Sequence, residues 1–178
     1  FDRKNKKLES LRENILQNHK LNSSIRSKIF AFTNDIIRLK GRLDFLIFLN
    51  SKKDVQLIND YLLNILRLGF YEILYCKNIP EYASVNSAVN ITKVILNKKA
   101  AGFTNSILRN LTREINKDIN YLKKYNKVDK WHSFPIWIQN KWKKQYGKTH
   151  FLKLINYFNK NQYNYIRLNN NVIKNKIL

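Results

Sequence analysis

The stretch Asp54-Val55-Gln56-Leu57-Ile58-Asn59-Asp60-Tyr61-Leu62-Leu63-Asn64-Ile65-Leu66-Arg67-Leu68-Gly69-Phe70-Tyr71-Glu72-Ile73-Leu74 decides the fold. Val55, Ile58, Leu62, Ile65, Gly69 and Ile73 recur at helical spacing, and Leu66, Phe70 and Leu74 widen that stripe. The spacing predicts a central, most buried helix, with Asp54 as its N-cap and Asn78 and Pro80 as its stop.

The same period extends in both directions. Toward the N-terminus, Leu43 to Leu49 reads as a short buried helix. Ile25, Ile29, Phe32 and Ile36 form an amphipathic one, capped by Ser23 or Ser24 and ended by Gly41, and Leu8, Leu11 and Ile15 form another. Toward the C-terminus, Ser84 opens a helix through Val85, Ala88, Val89, Thr92, Ile95 and Leu96 that closes on Asn97, Lys98 and Lys99. Phe103, Ile107, Leu111, Ile115 and Leu122 predict a long helix after it. The period lapses from Tyr125 to Phe134, which divides the chain into a helical domain, 1–124, and a connector, 125–178. In the connector, Pro135 starts a helix with Trp137, Ile138 and Trp142 that ends at Gly147. Thr149 caps another through Leu152, Ile155 and Phe158, and a loop with one short strand at Tyr163 to Leu168 follows. The expectation is an all-α bundle with a short helical linker.

Composition narrows the partner. Four Gly and two Pro exclude Pro/Gly-rich disorder, and no apolar run approaches the roughly 18 residues of a membrane span, so no membrane partner is expected. With 34 basic and 12 acidic residues the net charge is +22, a self-repulsion that a polyanion relieves. Lys, Asn and Ile are the residues a nucleotide-biased genome favours, and such drift can mimic a charge excess of this kind. Its distribution is more telling: residues 101–178 carry 16 bases and 3 acids, and nothing acidic follows Asp129. Lys130, Lys141, Lys143, Lys144, Lys148, Lys153, Lys160, Arg167, Lys174 and Lys176 make that end a positive arm.

Cys76 stands alone and His19, His132 and His150 are scattered, so neither a disulfide nor a metal site is expected. The absence of a secretory pattern points to the cytoplasm. The sequence begins at Phe1 and contains no Met, which reads as a chain trimmed from its start codon.

Three stretches, Leu66 to Leu74, Ile79-Pro80-Glu81-Tyr82-Ala83-Ser84-Val85-Asn86-Ser87-Ala88-Val89 and Gly102-Phe103-Thr104-Asn105-Ser106-Ile107-Leu108-Arg109-Asn110, resemble in order and spacing the signatures of NusB-type helical domains. Two branches share that domain: the free-standing transcription antitermination factor, and the N-terminal domain of the bacterial 16S rRNA cytosine-C5 methyltransferases of the RsmB or Fmu type. Arg109 after Ile107-Leu108 is similar to the second branch. So are the connector His132-Ser133-Phe134-Pro135-Ile136-Trp137-Ile138 with Trp142 and Tyr146-Gly147, the Ile166-Arg167-Leu168-Asn169 stretch, and Arg26 through Asp44. The resemblance covers roughly residues 24 to 169, and it departs at Asn34 and Asp35, where the family has a small glycine.

The resemblance implies an RNA-binding domain that positions 16S rRNA for a methyltransferase domain using S-adenosylmethionine. That domain is missing here: no Gly-rich loop follows a strand, and one cysteine cannot supply a catalytic pair, so this chain carries no catalytic residue and binds no cofactor of its own. Candidate RNA contacts are Arg38, Lys40 and Arg42 after the second helix, Arg109 and Arg113 one turn apart, and Lys141, Lys143, Lys144, Lys148 and Lys153 in the connector, because guanidinium forks and ammonium groups hold phosphates. Trp137, Trp142 and Tyr146 interleave with those lysines and offer stacking faces or core packing. Cys76 reads as a small buried hydrophobe, and Asn86 and Asn105 read as helix-start caps. The rival readings are an antitermination-type RNA adaptor and a docking domain with little RNA contact.

Overall fold

The computed structural model describes residues 8–124 and 128–159. The expected strand at Tyr163 to Leu168, the Ile166 to Asn169 stretch, and Lys160, Arg167, Lys174 and Lys176 lie outside the described residues. What is described is all α: α1 (Leu8–Gln17), α2 (Ser23–Arg38), α3 (Lys40–Ser51), a single 3-10 turn (Val55–Leu57), α4 (Asp60–Tyr75), α5 (Glu81–Ile95), α6 (Lys98–Lys124), α7 (Val128–His132) and α8 (Ile136–Phe158). Two compact units result, Phe1–Ile136 and Trp137–Leu178.

In the first unit, α4 is the hub. Leu66 and Phe70 are fully buried, and Leu63, Ile65 and Tyr71 nearly so, against Leu43, Leu46 and Ile47 of α3, Val85 and Ala88 of α5, and Ile107, Leu108 and Leu111 of α6. Gly69 lets these helices close. A Cβ built there would stand 3.0 Å from both terminal methyls of Leu108 and 3.6 Å from the Ala88 Cβ, so the α4–α6 crossing depends on a missing side chain. Several polar groups inside the bundle are paired, while the buried Ser84 hydroxyl has no protein partner among the described residues. Thr92 and Thr104 face each other at 3.1 Å between α5 and α6, and their two hydroxyl protons are shared between that contact and the Ala88 and Ala100 carbonyls one turn back on each helix. Asn110 of α6 donates to Asn50 of α3 at 3.0 Å.

Several boundaries differ from the sequence reading, each for a local reason. Asn22, not Ser23 or Ser24, caps α2 by accepting the Ile25 N–H at 2.8 Å. Gly41 does not end α2 but lies in the first turn of α3, where a Cβ would meet the Ser133 Cα at 3.0 Å; it serves close approach rather than termination. Asp54 caps only the 3-10 turn, through the Gln56 N–H, and Asn59 caps α4 through the amides of Tyr61 and Leu62. Pro80 precedes α5, and Ser84 lies buried within its first turns. Asn97 starts α6 by accepting from Ala100 rather than closing α5. On α1, Leu16 and Arg12 face inward and Ile15 is exposed. The Arg12 guanidinium stacks 3.5 Å from the Phe30 ring centroid and bonds Thr33 and Asn34, which displaces the expected face by one residue. Ile95, expected on the inward stripe of α5, is exposed.

The second unit is built on α8. Gly147 (φ 71, ψ 166) interrupts it with a backbone shape that L side chains resist, so two helical segments meet there at an angle. Trp142 stacks on Phe158 at 5.7 Å, and Phe151 and Ile155 are buried.

Candidate nucleic-acid interface

Helix formation distributes the expected basic residues unequally between packing and solvent. Arg42 is packed. Its Nε donates to the Trp131 carbonyl at 2.6 Å, one terminal nitrogen donates to the Tyr75 hydroxyl at 2.7 Å, and the guanidinium lies 3.9 Å from the Trp131 ring centroid. Ser133 accepts the Arg42 backbone N–H at 2.9 Å. Arg42 therefore clamps α7 to α3. Arg38 pairs with Asp35 at 2.7 Å on its own helix, and the other Asp35 oxygen accepts from the Tyr71 hydroxyl at 2.7 Å. Burial and that donation raise the Tyr71 phenol well above its ordinary range. Lys40 is half-buried at the start of α3.

The outward residues are on α6 and α8. Arg109 and Arg113 are exposed one turn apart, and Arg109 Nε donates to Asn105 Oδ1 at 2.9 Å. Asn105 is thus no helix-start cap: it lies inside α6 and orients an arginine. Asn86 lies within α5, exposed. Glu114, farther along the same helix, pairs with Lys117 at 2.7 Å. In the second unit Lys141, Lys143, Lys144, Lys148 and Lys153 are all exposed, and the Lys143 ammonium lies 4.9 Å from the Phe151 ring centroid. Trp137 and Tyr146 are open to solvent, whereas Trp142 is committed to Phe158.

One cationic hollow was not read from the sequence. Lys53, Leu57, Asn59, Asn97, Lys99 and Phe103 line a cavity of about 290 Å³ where the α3–α4 connection meets the α5–α6 turn, with the Lys53 ammonium 5.1 Å from the Phe103 ring centroid. Lys52-Lys53 and Lys98-Lys99 were the available signal, but they are 46 residues apart, and only the fold brings them together. Arg67, in the signature stretch itself, is structural: it grips Asp44 with two bonds, at 2.7 and 2.9 Å, and Asn64 with a third.

Gly41, Gly69, Gly102 and Gly147 all lie on helices, so no glycine loop follows a strand among the described residues. Cys76, its thiol pushed up by burial, has no second cysteine to work with. Among the described residues no three His, Cys, Asp or Glu converge, and no helix is long and apolar enough to cross a membrane.

The NusB family model matches residues 2–113. The chain is 25% identical over 140 residues to the probable ribosomal RNA small subunit methyltransferase B of Bacillus subtilis, covering 77% of this chain and 31% of that protein. It is 27% identical over 155 residues to the protein of the same name in Synechocystis, covering 86% and 35%. It is also 45% identical over 51 residues to the transcription antitermination protein NusB of Thermodesulfovibrio yellowstonii, covering 29% and 34%. The chain thus spans about a third of the length of these relatives. No solved structure matches.

Proposed function

The chain belongs to the NusB family, and we propose that it is the RNA-holding module of a small-subunit rRNA cytosine-C5 methyltransferase. On this reading it works in the cytoplasm and holds 16S rRNA through phosphates. A separate domain, outside these 178 residues, binds S-adenosylmethionine and carries out the transfer.

One observation carries the choice of branch. Similarity to the two methyltransferases runs over 140 and 155 residues, farther than the 112 matched by the family model, while similarity to the antitermination protein covers 51. The α3–α7 clamp supports the same reading, since Arg42 ties residues past the family match into the helical unit. RNA binding is supported by what faces solvent: Arg109 and Arg113 on α6, five lysines on α8, and the Lys53–Lys99 hollow. Neutralising phosphates releases condensed counterions, so affinity falls steeply with salt.

The test is fluorescence anisotropy with a small-subunit rRNA hairpin and a scrambled one, each at about 50 and about 200 mM salt. Preference for the native hairpin with a loss of affinity of roughly tenfold or more supports the reading, and binding to neither removes it. The high local identity to NusB over 51 residues favours a second reading, an antitermination-type adaptor. That reading expects RNA affinity to be indifferent to the lysines of α8.

A further inference from the structure

A hollow of about 230 Å³ lies between α5 and α6, lined by Glu81, Tyr82, Val85, Asn86, Arg109 and Thr112. Its chemistry is uneven in a useful way. Val85 is buried and supplies an apolar floor, and Tyr82, 72% exposed, stands at the rim. Arg109 is anchored through Nε to Asn105, which fixes the plane of its guanidinium. Its two terminal nitrogens have no side-chain partner among the described residues. Glu81 lines the same hollow, and it too has no ion pair among the described residues. The Thr112 hydroxyl is spent on the Arg109 carbonyl at 2.9 Å. A cation and an anion thus share one hollow without neutralising each other, beside an open aromatic face and the Asn86 amide.

Few ligands satisfy all four groups. A pre-oriented guanidinium fork takes a phosphate by two parallel bonds. A phenol ring gives a base a stacking face. A carboxylate accepts from the cytosine amine, and an Asn side chain pairs adenine by two bonds. Uracil has no exocyclic amine to offer Glu81. We propose that the α5–α6 hollow is a single-nucleotide site for a base with an exocyclic amine, adenine, cytosine or guanine but not uracil, stacked on Tyr82 with its phosphate on Arg109 and its amine directed to Glu81 and Asn86. The nucleotide is an unpaired residue of an RNA strand, so the proposal rests on the RNA-binding reading.

The experiment uses the 178-residue chain with end-labelled hexamers of adenylate, cytidylate and uridylate at about 50 mM salt, read by anisotropy, with the corresponding free monophosphates as competitors. The lysine-rich surface binds all three hexamers through phosphate alone, so the ratio between bases isolates the hollow. Adenylate and cytidylate are expected to bind about fivefold or more tighter than uridylate. Tyr82→Ala and Arg109→Gln each cost about fivefold or more on the favoured hexamers, and Glu81→Ala erases the base preference. All three positions are exposed, and circular dichroism melts matching the parent confirm that each variant folds. Competition by free AMP or CMP but not UMP keeps the site and makes a free nucleotide sufficient; competition by strands alone keeps the site and makes the strand necessary. Equal affinity for the three hexamers, or variants that bind like the parent, overturns the hollow while leaving RNA binding intact. Failure of every hexamer and of the rRNA hairpin overturns both.

Discussion

The Arg42 guanidinium lies over the Trp131 ring, 3.9 Å from its centroid, while its Nε donates to the carbonyl of the same residue at 2.6 Å. One arginine, read from sequence as a phosphate contact, instead joins two helices whose contact residues are 89 positions apart. Replacing it with Gln removes the cation–π contact and leaves the Trp131 carbonyl short of a donor. A loss of about 2–4 kcal/mol is expected, against about 1 kcal/mol for Trp131→Phe. Urea unfolding curves provide the measurement, and equal midpoints for parent and Arg42→Gln would refute the clamp.

Arg67 and Asp44 form the most enclosed ion pair described, with side-chain exposures of 9% and 17%. Removing only the acid strands a buried charge, so Asp44→Ala is expected to cost about 3–5 kcal/mol. Asp44→Ala with Arg67→Met recovers much of that loss, because the uncompensated charge goes with its partner. Calorimetry on the two singles and the double closes the cycle, and strict additivity would deny the coupling.

Two glycines should respond to alanine with opposite signs. At Gly69 the new methyl meets the Leu108 branch tips at 3.0 Å, and overpacking costs about 1–3 kcal/mol. At Gly102, on α6, nothing lies within 4 Å, and alanine gains about 0.5–1 kcal/mol of helix propensity. Paired thermal melts read both signs at once.

His132 is buried beside Arg42, and desolvation first, then the arginine's charge, lowers its pKa to about 4. The unfolded chain, with its imidazole near 6.5, binds a proton that the folded chain refuses, so stability is lost as pH falls from about 6.5 to about 4 and levels off below. The size expected is about 1–3 kcal/mol. His132→Gln should flatten that part of the profile relative to the parent, which separates it from the carboxylates that titrate over the same range. Superimposable profiles would sink the assignment.

The α8 lysines predict a salt effect. Changing Lys141, Lys144, Lys148 and Lys153 to Gln should shallow the dependence of RNA affinity on salt by about 0.7 to 0.9 in logarithmic slope for each phosphate that is no longer neutralised. An unchanged slope would place the RNA elsewhere and favour the adaptor reading.

The buried stripe of α4 was legible because its period is continuous and its residues are strongly apolar; Leu66 and Phe70 are fully buried where the pattern put them. Caps were read less well. Ser, Asn and Asp close together in sequence are chemically interchangeable as acceptors, and only backbone geometry chose Asn22 over the adjacent Ser23, and Asn59 over Asp54 five residues earlier, for the helices that follow. Arginines were hardest. Whether a guanidinium meets solvent or the interior depends on what arrives from far along the chain, as Trp131 does at Arg42 and Asp44 does at Arg67. Arg109, a candidate phosphate contact by sequence, is exposed, yet the hollow it shares with Tyr82 and Glu81 comes from the α5–α6 crossing and leaves no local trace in the sequence.

The α3–α7 clamp also sets an order of events during synthesis. Most packing in the first unit joins helices that follow one another, α4 with α5 and α5 with α6, so the bundle can form as it leaves the ribosome. Arg42 emerges with α3, but its partner carbonyl and ring are made 89 residues later. At a translation rate of roughly 5–20 residues per second, α3 waits several seconds with that guanidinium uncovered. Closure of the first unit is therefore timed by the elongating ribosome rather than by the chain's own search, and slowing translation between α3 and α7 lengthens the life of an open, highly basic nascent bundle.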